Sequence, residues 1–508
     1  MKILLRIIFF QLMFLNICSI NAQMVSSKII DSITKEPVPY ATILYKKSGM
    51  ISNEEGRFSF LYRKDSRPSD TLMISCIGFK SVAKPLNQFK DSVIYLVPQT
   101  IELKEVVLSS KKYSAEEIIE KVKENIAKNY NFDLTRKRLF FRESNHQNFL
   151  KSNYTLKKST IKELNKPFLD SVMASIPKSN SYYTEVLCDL YGNLSKEKQK
   201  IGLIKASELY DKNNEIGMKA LEEKFETIVN KNVKKDSYFK IKSGIFGQKV
   251  DLNEFKTEEV DSTNTEALQK KLEEEKNRKE ARKKNFAKYR RSSLGSLFNG
   301  LFFHEKAKLN FINKSNRYEF SVADITYMGD DAVYVLEFKP KRSEDYKGKI
   351  YVHTEDFAII RVDYENVNVL KNFKLLGISY RWHLAKGKMI FGKGEDERYN
   401  LQYLEKEDAS RFGIRRPLKI IEKNKNVKGR RKQNELYVKL DMAISSSNKH
   451  EVVVFDTGAI DASAFDGFKE KNTVLPTYMP KYNPEFWKGY DIIEPNQAIK
   501  DFTVIAEE

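Results

Sequence analysis

Apolar and polar residues alternate with a period of two along much of this chain, and the departures from that period mark its organisation. Between residues 25 and 98 the apolar runs are short and turn residues separate them. Residues 25–30, 40–45, 57–61, 71–77 and 91–97 read as strands. Turns fall at 31–39, which holds Pro37 and Pro39, and at Asn53-Glu54-Glu55-Gly56. Short strands at this spacing predict a β-sandwich. At Ser114 the period changes. Ser114 and Glu117 have capping-box spacing, and Ile118, Val122 and Ile126 fall on one helical stripe beside Ile119, so a helix is predicted over 114–129. A strand follows at 139–143.

Residues 266–291 break the pattern with blocks of alternating charge. Glu274 and Arg278, Glu275 and Lys279, and Glu280 and Lys284 are favourable i,i+4 pairs, each worth a few tenths of a kcal/mol. The expectation is a solvated helix or a mobile insertion. From 306 onward strands recur at 317–328, 332–339, 348–353, 358–365, 374–384, 398–404, 418–423 and 435–445. Gly329-Asp330-Asp331 is a hairpin signal, and 348–362 forms a second hairpin. A curved antiparallel sheet is predicted, and its apolar face must be covered. A chain segment, a second protein or a bound lipid could cover it. Within the chain, residues 294–303 and the aromatic tail at 478–490 are the nearest candidates.

The fold class is therefore mainly β with α, an α+β chain. An N-terminal sandwich precedes a helix-containing region and a curved antiparallel sheet. The segments run 1–22, 23–108, 109–265 (mixed helix and strand), 266–292 (the charged insertion) and 293–508 (the β domain with its tail). A length of 508 residues suits two or three domains of roughly 100–200 residues each.

The first 22 residues change the picture most. Lys2 and Arg6 precede the apolar run 7–15, and small and polar residues lead to Ala22. This is the layout of a secretory signal peptide, and the apolar core is short of the about 20 residues that span a bilayer. The expected cut follows Ala22. Cys18 is set aside as a lipid-attachment site because Ile17 stands where a small residue is wanted. The mature chain is expected in the periplasm or at the outer membrane. The formal charge is +20 and becomes +18 once Lys2 and Arg6 leave. In an exported protein this excess points to anionic membrane surfaces or acidic glycolipids and away from nucleic acid, or simply to a lysine-rich solvated surface.

Two cysteines remain after the leader, Cys76 and Cys188. They fall in different predicted domains, and Cys76 lies in an apolar strand, so buried free thiols are expected. No CxxC pair exists for a zinc site. His146, His304, His353, His383 and His450 form no HExxH, and the chain has neither a GxSxG elbow nor a Cys–His couple with a local signature. No catalytic, cofactor-binding or metal-ligating residue is assigned, and no cofactor is expected.

Three strings carry a resemblance. They are Asp31 to Thr42 with Thr34, Glu36, Pro37 and Tyr40; Asn53 to Phe58; and Asp70 to Lys80 with Ile74, Gly78 and Phe79. Together they resemble the carboxypeptidase regulatory-like domain of exported Bacteroidota proteins, which implies a transthyretin-like sandwich of about seven strands. That domain accompanies carboxypeptidases without holding their active site. Gly56 and Gly78 then serve turns, Phe58, Ile74 and Ile77 fill the core, and Asp31, Asn53 and Asp70 bond turn amides. Glu102-Leu-Lys-Glu-Val-Val-Leu108 resembles the strand that follows this domain in TonB-dependent receptors. The helix at 114–129, the strand at 139–143 and Tyr182 to Val186 resemble a poorly characterised outer-membrane and envelope family. The hairpin at 348–362 resembles the half-barrel of periplasmic lipoprotein-sorting carriers, where a curved sheet wraps a helix or a lipid.

The leading functional expectation is a non-enzymatic interaction or assembly module of the cell envelope. Its partner would be another envelope protein or the outer-membrane surface. A carrier or sensor of a lipid or other amphiphile, and a hydrolase with an unrecognised site, are the alternatives.

Overall fold

The computed structural model describes residues 23–99, 113–251 and 265–504, apart from 47, 63–69, 87–92, 196, 425, 430 and 472. The leader with Cys18 and the receptor-like strand at 102–108 lie outside the described residues. The described chain divides into two compact units. One comprises the residues up to 99 with 327–330 and 483–496, and the other comprises the remainder.

The N-terminal unit is built from β1 (Gln23–Asp31), β2 (Thr42–Tyr45), β3 (Ser48–Ile51), β4 (Arg57–Tyr62), β5 (Thr71–Ser75), β6 (Val82–Pro85) and β7 (Val93–Leu96). They form two sheets, β4-β1-β7 and β3-β2-β5-β6, which is the seven-stranded sandwich expected. The alternation works as read: Leu72 and Ile74 of β5 point inward while Thr71 and Met73 are exposed. Ile29, Ile43, Phe58, Ile94 and Leu96 complete the core, and Ile77 is half-buried. Asp31 accepts from the Ile33 and Thr34 amides, and Asn53 from those of Glu55 and Arg57. Asp70 accepts from the Tyr45 hydroxyl and pairs with Lys46. Residues 483–496 belong to this unit. The Asn53 amide donates to the Glu494 and Pro495 carbonyls, and the Leu61 N–H donates to Asp491. The aromatic tail is thus split, and its second half, with buried Trp487, is counted with the N-terminal unit.

The second unit opens with α1 (Ala115–Asn129). Ser114 and Glu117 cap it reciprocally, and Ile118, Ile119 and Val122 are buried. In chain order there follow β8 (Thr135–Ser159), α2 (Lys166–Ala174), β9 (Ser179–Gly192), β10 (Gln199–Tyr210), α3 (Asn213–Asn232), β11 (Ser237–Ser243), β12 (Phe246–Asp251) and α4 (Thr265–Phe298). Next come β13 (Tyr318–Met328), β14 (Asp331–Pro340), β15 (Tyr346–His353), β16 (Ile359–Asn366), β17 (Lys371–Leu375), β18 (Ile378–Lys393), β19 (Tyr399–Asn424) and β20 (Lys432–Ala459). α5 (Ala462–Gly467), β21 (Thr477–Met479) and α6 (Gln497–Lys500) complete it. All its strands join one 14-stranded sheet. The path is β13-β14-β15-β16-β18-β19-β20-β8-β9-β10-β21, with β17 on β18, β11 on β19 and β12 on β11.

Three features depart from the sequence reading. The stretch 374–384, read as one strand, is broken by the turn at Leu376-Gly377 between β17 and β18. β8, β19 and β20 span 25, 26 and 28 residues, so the stretches at 398–404 and 418–423 are two parts of one strand. Residues 405–417 between them carry little apolar alternation, and pairing to β18 and β20 holds them extended. The charged helix also runs past 292 to Phe298. Its charge pattern yields from residue 286 to Phe286, Ala287, Leu294, Leu297 and Phe298, all buried. This end of α4 lies on one face of the sheet. Arg282 bonds Glu208 of β10, and Arg290 and Ser293 engage Glu143 of β8. The chain continues across the face at Phe302, edge-on to Phe391 of β18 at 5.8 Å, and at Phe311, stacked on Phe338 of β14 at 4.4 Å. The segment 294–303 therefore covers the sheet, as expected. Among the described residues, no helix is long and apolar enough to cross a membrane.

Candidate functional site

On the face opposite α4, residues in register across nine strands form one polar row. It reads Glu337 (β14), Lys349 (β15), Asp363 (β16), Lys388 (β18), Glu405 (β19), Glu451 (β20), Arg142 (β8), Glu185 (β9) and Ser207 (β10). Lys349 lies 3.1 Å from Glu337 and Lys388 2.6 Å from Asp363. Glu405 and Glu451 are like charges directly opposite, a destabilising arrangement if left alone. Lys449 bridges them at 3.1 and 3.7 Å. The Tyr403 hydroxyl donates to Glu405 at 3.0 Å. Arg142 Nη2 is 2.7 Å from Glu185, whose other oxygen accepts from Ser207 at 3.2 Å. Arg142, Glu185 and Glu451 are buried, and the two carboxylates hold the Arg142 guanidinium charged against the cost of its burial. The row is a network of complementary groups, able to fix strand register.

Beneath α4, Glu143 takes Arg290, Ser293 Oγ at 2.9 Å and, at 3.5 Å, His450 Nε2. His450 stacks on Phe141. Burial pushes its imidazole down to about 4, with Lys406 acting the same way. Asp408 acts against this, and the Arg290 charge adds to the lowering.

The histidines occupy separate places. His146 bonds Ser181 at 3.0 Å. His304 follows α4, and burial lowers its pKa. His353 is buried between Asp356, at 3.2 Å, and Asp331, at 3.6 Å. The hydrogen bond that its ring donates to the Asp356 carboxylate raises the His353 pKa despite burial. His383 lies on β18. Among the described residues, no two histidines share a side-chain partner. Cys76 and Cys188 are free and buried, and burial pushes the Cys188 thiol far up.

Where β8, β19 and β20 run beyond the cover of α4, the sheet carries a second, smaller assembly. α2, α3 and β11 pack there around Phe168, Ile228, Val229 and Phe239. The buried Glu422 accepts from the Lys234 amide, Ser237 and Asn434. Glu435 is held down to about 2 chiefly by Lys432, with Lys158 and Lys419 adding to it. An open groove of about 740 Å³ beside α2 is lined by Tyr154, Asp170, Arg415, Lys439 and Asp441, among others. Next to it, two hairpin tips carry exposed apolar side chains, Ile245 and Phe246 on one and Leu375 and Leu376 on the other. Arg416 bonds both tips. Sequence reading found neither the polar row nor these tips. A charged pair ending an apolar run, as at Phe140-Phe141-Arg142-Glu143, was the one local sign of the first. Leu375-Leu376-Gly377, apolar residues where a hairpin turn should be polar, was the sign of the second.

A search of the curated proteins finds no match to this chain. Among solved structures, the chain is similar to the crystal structure of a LolA superfamily protein from Nitrosomonas europaea. The identity is 12%, the match covers 70% of this chain and 99% of that one, and the TM-score is 0.17. Residues 25–108 match the family model of the CarboxypepD_reg-like domain, and the N-terminal part of this chain carries that domain.

Proposed function

We propose that this chain is a non-enzymatic interaction module of the cell envelope, with its working surface on the uncovered end of the long sheet. The observation that carries the reading is how the sheet is filled. Leu294, Phe298, Phe302 and Phe311 of the chain itself occupy the face beneath α4. That packing favours a scaffold over a carrier holding an amphiphile in the same place. The dispersed histidines and the fully complemented Arg142–Glu185 row support a structural use of the buried charge. The leader-like N-terminus and the regulatory-like domain support an envelope location.

Photo-crosslinking in native envelopes tests this. A photoreactive residue at Lys439, beside the groove, is expected to capture a defined envelope component. The same residue at Lys279, on the exposed stretch of α4, is expected to capture none. Recovery of one stoichiometric lipid from beneath α4, or a hydrolytic activity lost on substituting His353, would sink the reading.

A further inference from the structure

We propose that the two hairpin tips form one contact surface for an anionic lipid membrane. The proposal rests on the interaction-module reading and names the partner of that end of the sheet.

The topology brings the tips together. β18 pairs with β19 up to Ile378 opposite Ile414, and β11 pairs with the same edge of β19 from Lys242 opposite Lys419 onward. The β17–β18 turn and the β11–β12 turn therefore meet head to head along residues 415–418. Arg416 stands between them. Its Nε donates to Ser243 Oγ at 2.8 Å, Nη1 donates to the Leu376 carbonyl at 2.6 Å, and Nη2 donates to the Ser243 carbonyl. Its guanidinium lies 5.1 Å from the Phe246 ring centroid. Arg416 is buried, yet the side chains on the turns it ties are among the most exposed apolar groups described. Ile245 is 84% exposed, Leu375 63%, Phe246 56% and Leu376 53%.

The backbone at one tip is unusual. Leu376 and Gly377 form the two-residue turn between β17 and β18 with φ of +47° and +80°. Such a turn favours Asn or Asp at its first position, because a left-handed backbone is costly for a leucine. The cost leaves Leu376 more than half exposed, so it places an apolar side chain largely outward at the tip. The other turn is unstrained, with Gly244 at φ +62° in its first central position, where a type II′ turn takes glycine.

The surroundings are cationic. Lys242, Lys371, Lys374, Arg411 and Arg415 are exposed around the tips. Lys249 pairs with Asp251, and Arg415 lies 3.9 Å from Asp441. Among the described residues, no carboxylate pairs with Lys242, Lys374 or Arg411. Apolar groups at the centre and unpaired cations at the rim complement an anionic bilayer, whose phosphates meet the cations while the apolar groups enter the headgroup–acyl boundary. Four side chains on two turns fall well short of the roughly 800 Å² per partner of a stable protein interface, which favours a lipid surface over a second copy.

The test is co-sedimentation of the full chain with phosphatidylcholine vesicles, with and without phosphatidylglycerol. Binding is expected only to the phosphatidylglycerol vesicles, and it should weaken as salt is raised. Ile245→Ser with Leu375→Ser should lower it by about tenfold or more, and Lys242→Glu with Lys374→Glu should lower it similarly. The melting temperature should stay close to the wild-type value, because these side chains are mostly exposed. Three outcomes would overturn the proposal. They are absence of wild-type binding to phosphatidylglycerol vesicles at low salt, equal binding by both double variants, and a wild-type dimer that the apolar double variant disperses. If vesicle binding fails while crosslinking at Lys439 still captures an envelope component, the lipid surface is wrong and the module reading stands.

Discussion

Arg142 and Glu185 face each other directly across β8 and β9, Nη2 to Oε1 at 2.7 Å, with both side chains buried. The pair sits near the β10 end of a polar row that crosses nine strands. Arg142→Met would strand the Glu185 charge and is expected to destabilise by about 3–5 kcal/mol. Adding Glu185→Met should recover much of that loss, because the pair is then replaced by two apolar groups. Urea denaturation of the two single variants and the double variant checks this. Additive losses would show that the two charges are not coupled.

His450 makes stability depend on pH in a stated direction. Its folded pKa, about 4, lies below the ordinary 6.5 because burial opposes the charged form. The unfolded chain therefore binds the proton more readily. The contribution of neutral His450 is complete above pH 6.5 and falls away as pH drops toward 4. The full loss is about 3 kcal/mol from the size of the shift. His450→Gln should flatten the stability profile in that window, as measured by denaturation midpoints at several pH values.

His353 works in the opposite sense. Asp356 raises its folded pKa above 6.5. Its stabilisation is fully present below the unfolded value and is lost as pH rises through the folded one. An NMR titration of the His353 ring should place its midpoint above 6.5, and Asp356→Asn should bring that midpoint down.

The end of α4 that covers the sheet should carry far more stability than its exposed middle. Phe298→Ala removes a fully buried ring and is expected to cost about 3–5 kcal/mol. Lys279→Ala, on an exposed stretch, should fall within about 0.5 kcal/mol of wild type. Replacing 266–291 by a flexible linker would also remove Phe286 and the Arg290–Glu143 contact. That replacement is therefore expected to lower the melting temperature, against the simpler view of a dispensable insertion.

In the sandwich, Ile74 is completely buried. Ile74→Ala should cost about 2–5 kcal/mol by chemical denaturation, while Met73→Ala on the exposed side of β5 should cost little.

What the sequence determined by itself is what short-range periodicity can encode. The alternation in β5 set which side chains enter the sandwich. Ser114 and Glu117 set where α1 begins, because a cap needs only neighbours three residues apart. The motifs from Asp31 to Lys80 were enough to identify the N-terminal domain. The tertiary structure decided what depends on register between distant segments. β19 is a single strand because β18 and β20 pair with it through a stretch of little apolar pattern. The Arg142 row exists because strands far apart in sequence align at the same level, which no local period records. α4 looked solvated because charge dominates its first turns, and burial of Phe286, Leu294 and Phe298 became visible only once a sheet lay beneath them. The exposed tips arise in the same way. Whether Ile245 and Leu375 are covered or bare depends on what packs around two turns brought together by Arg416, and that is a property of the assembled sheet.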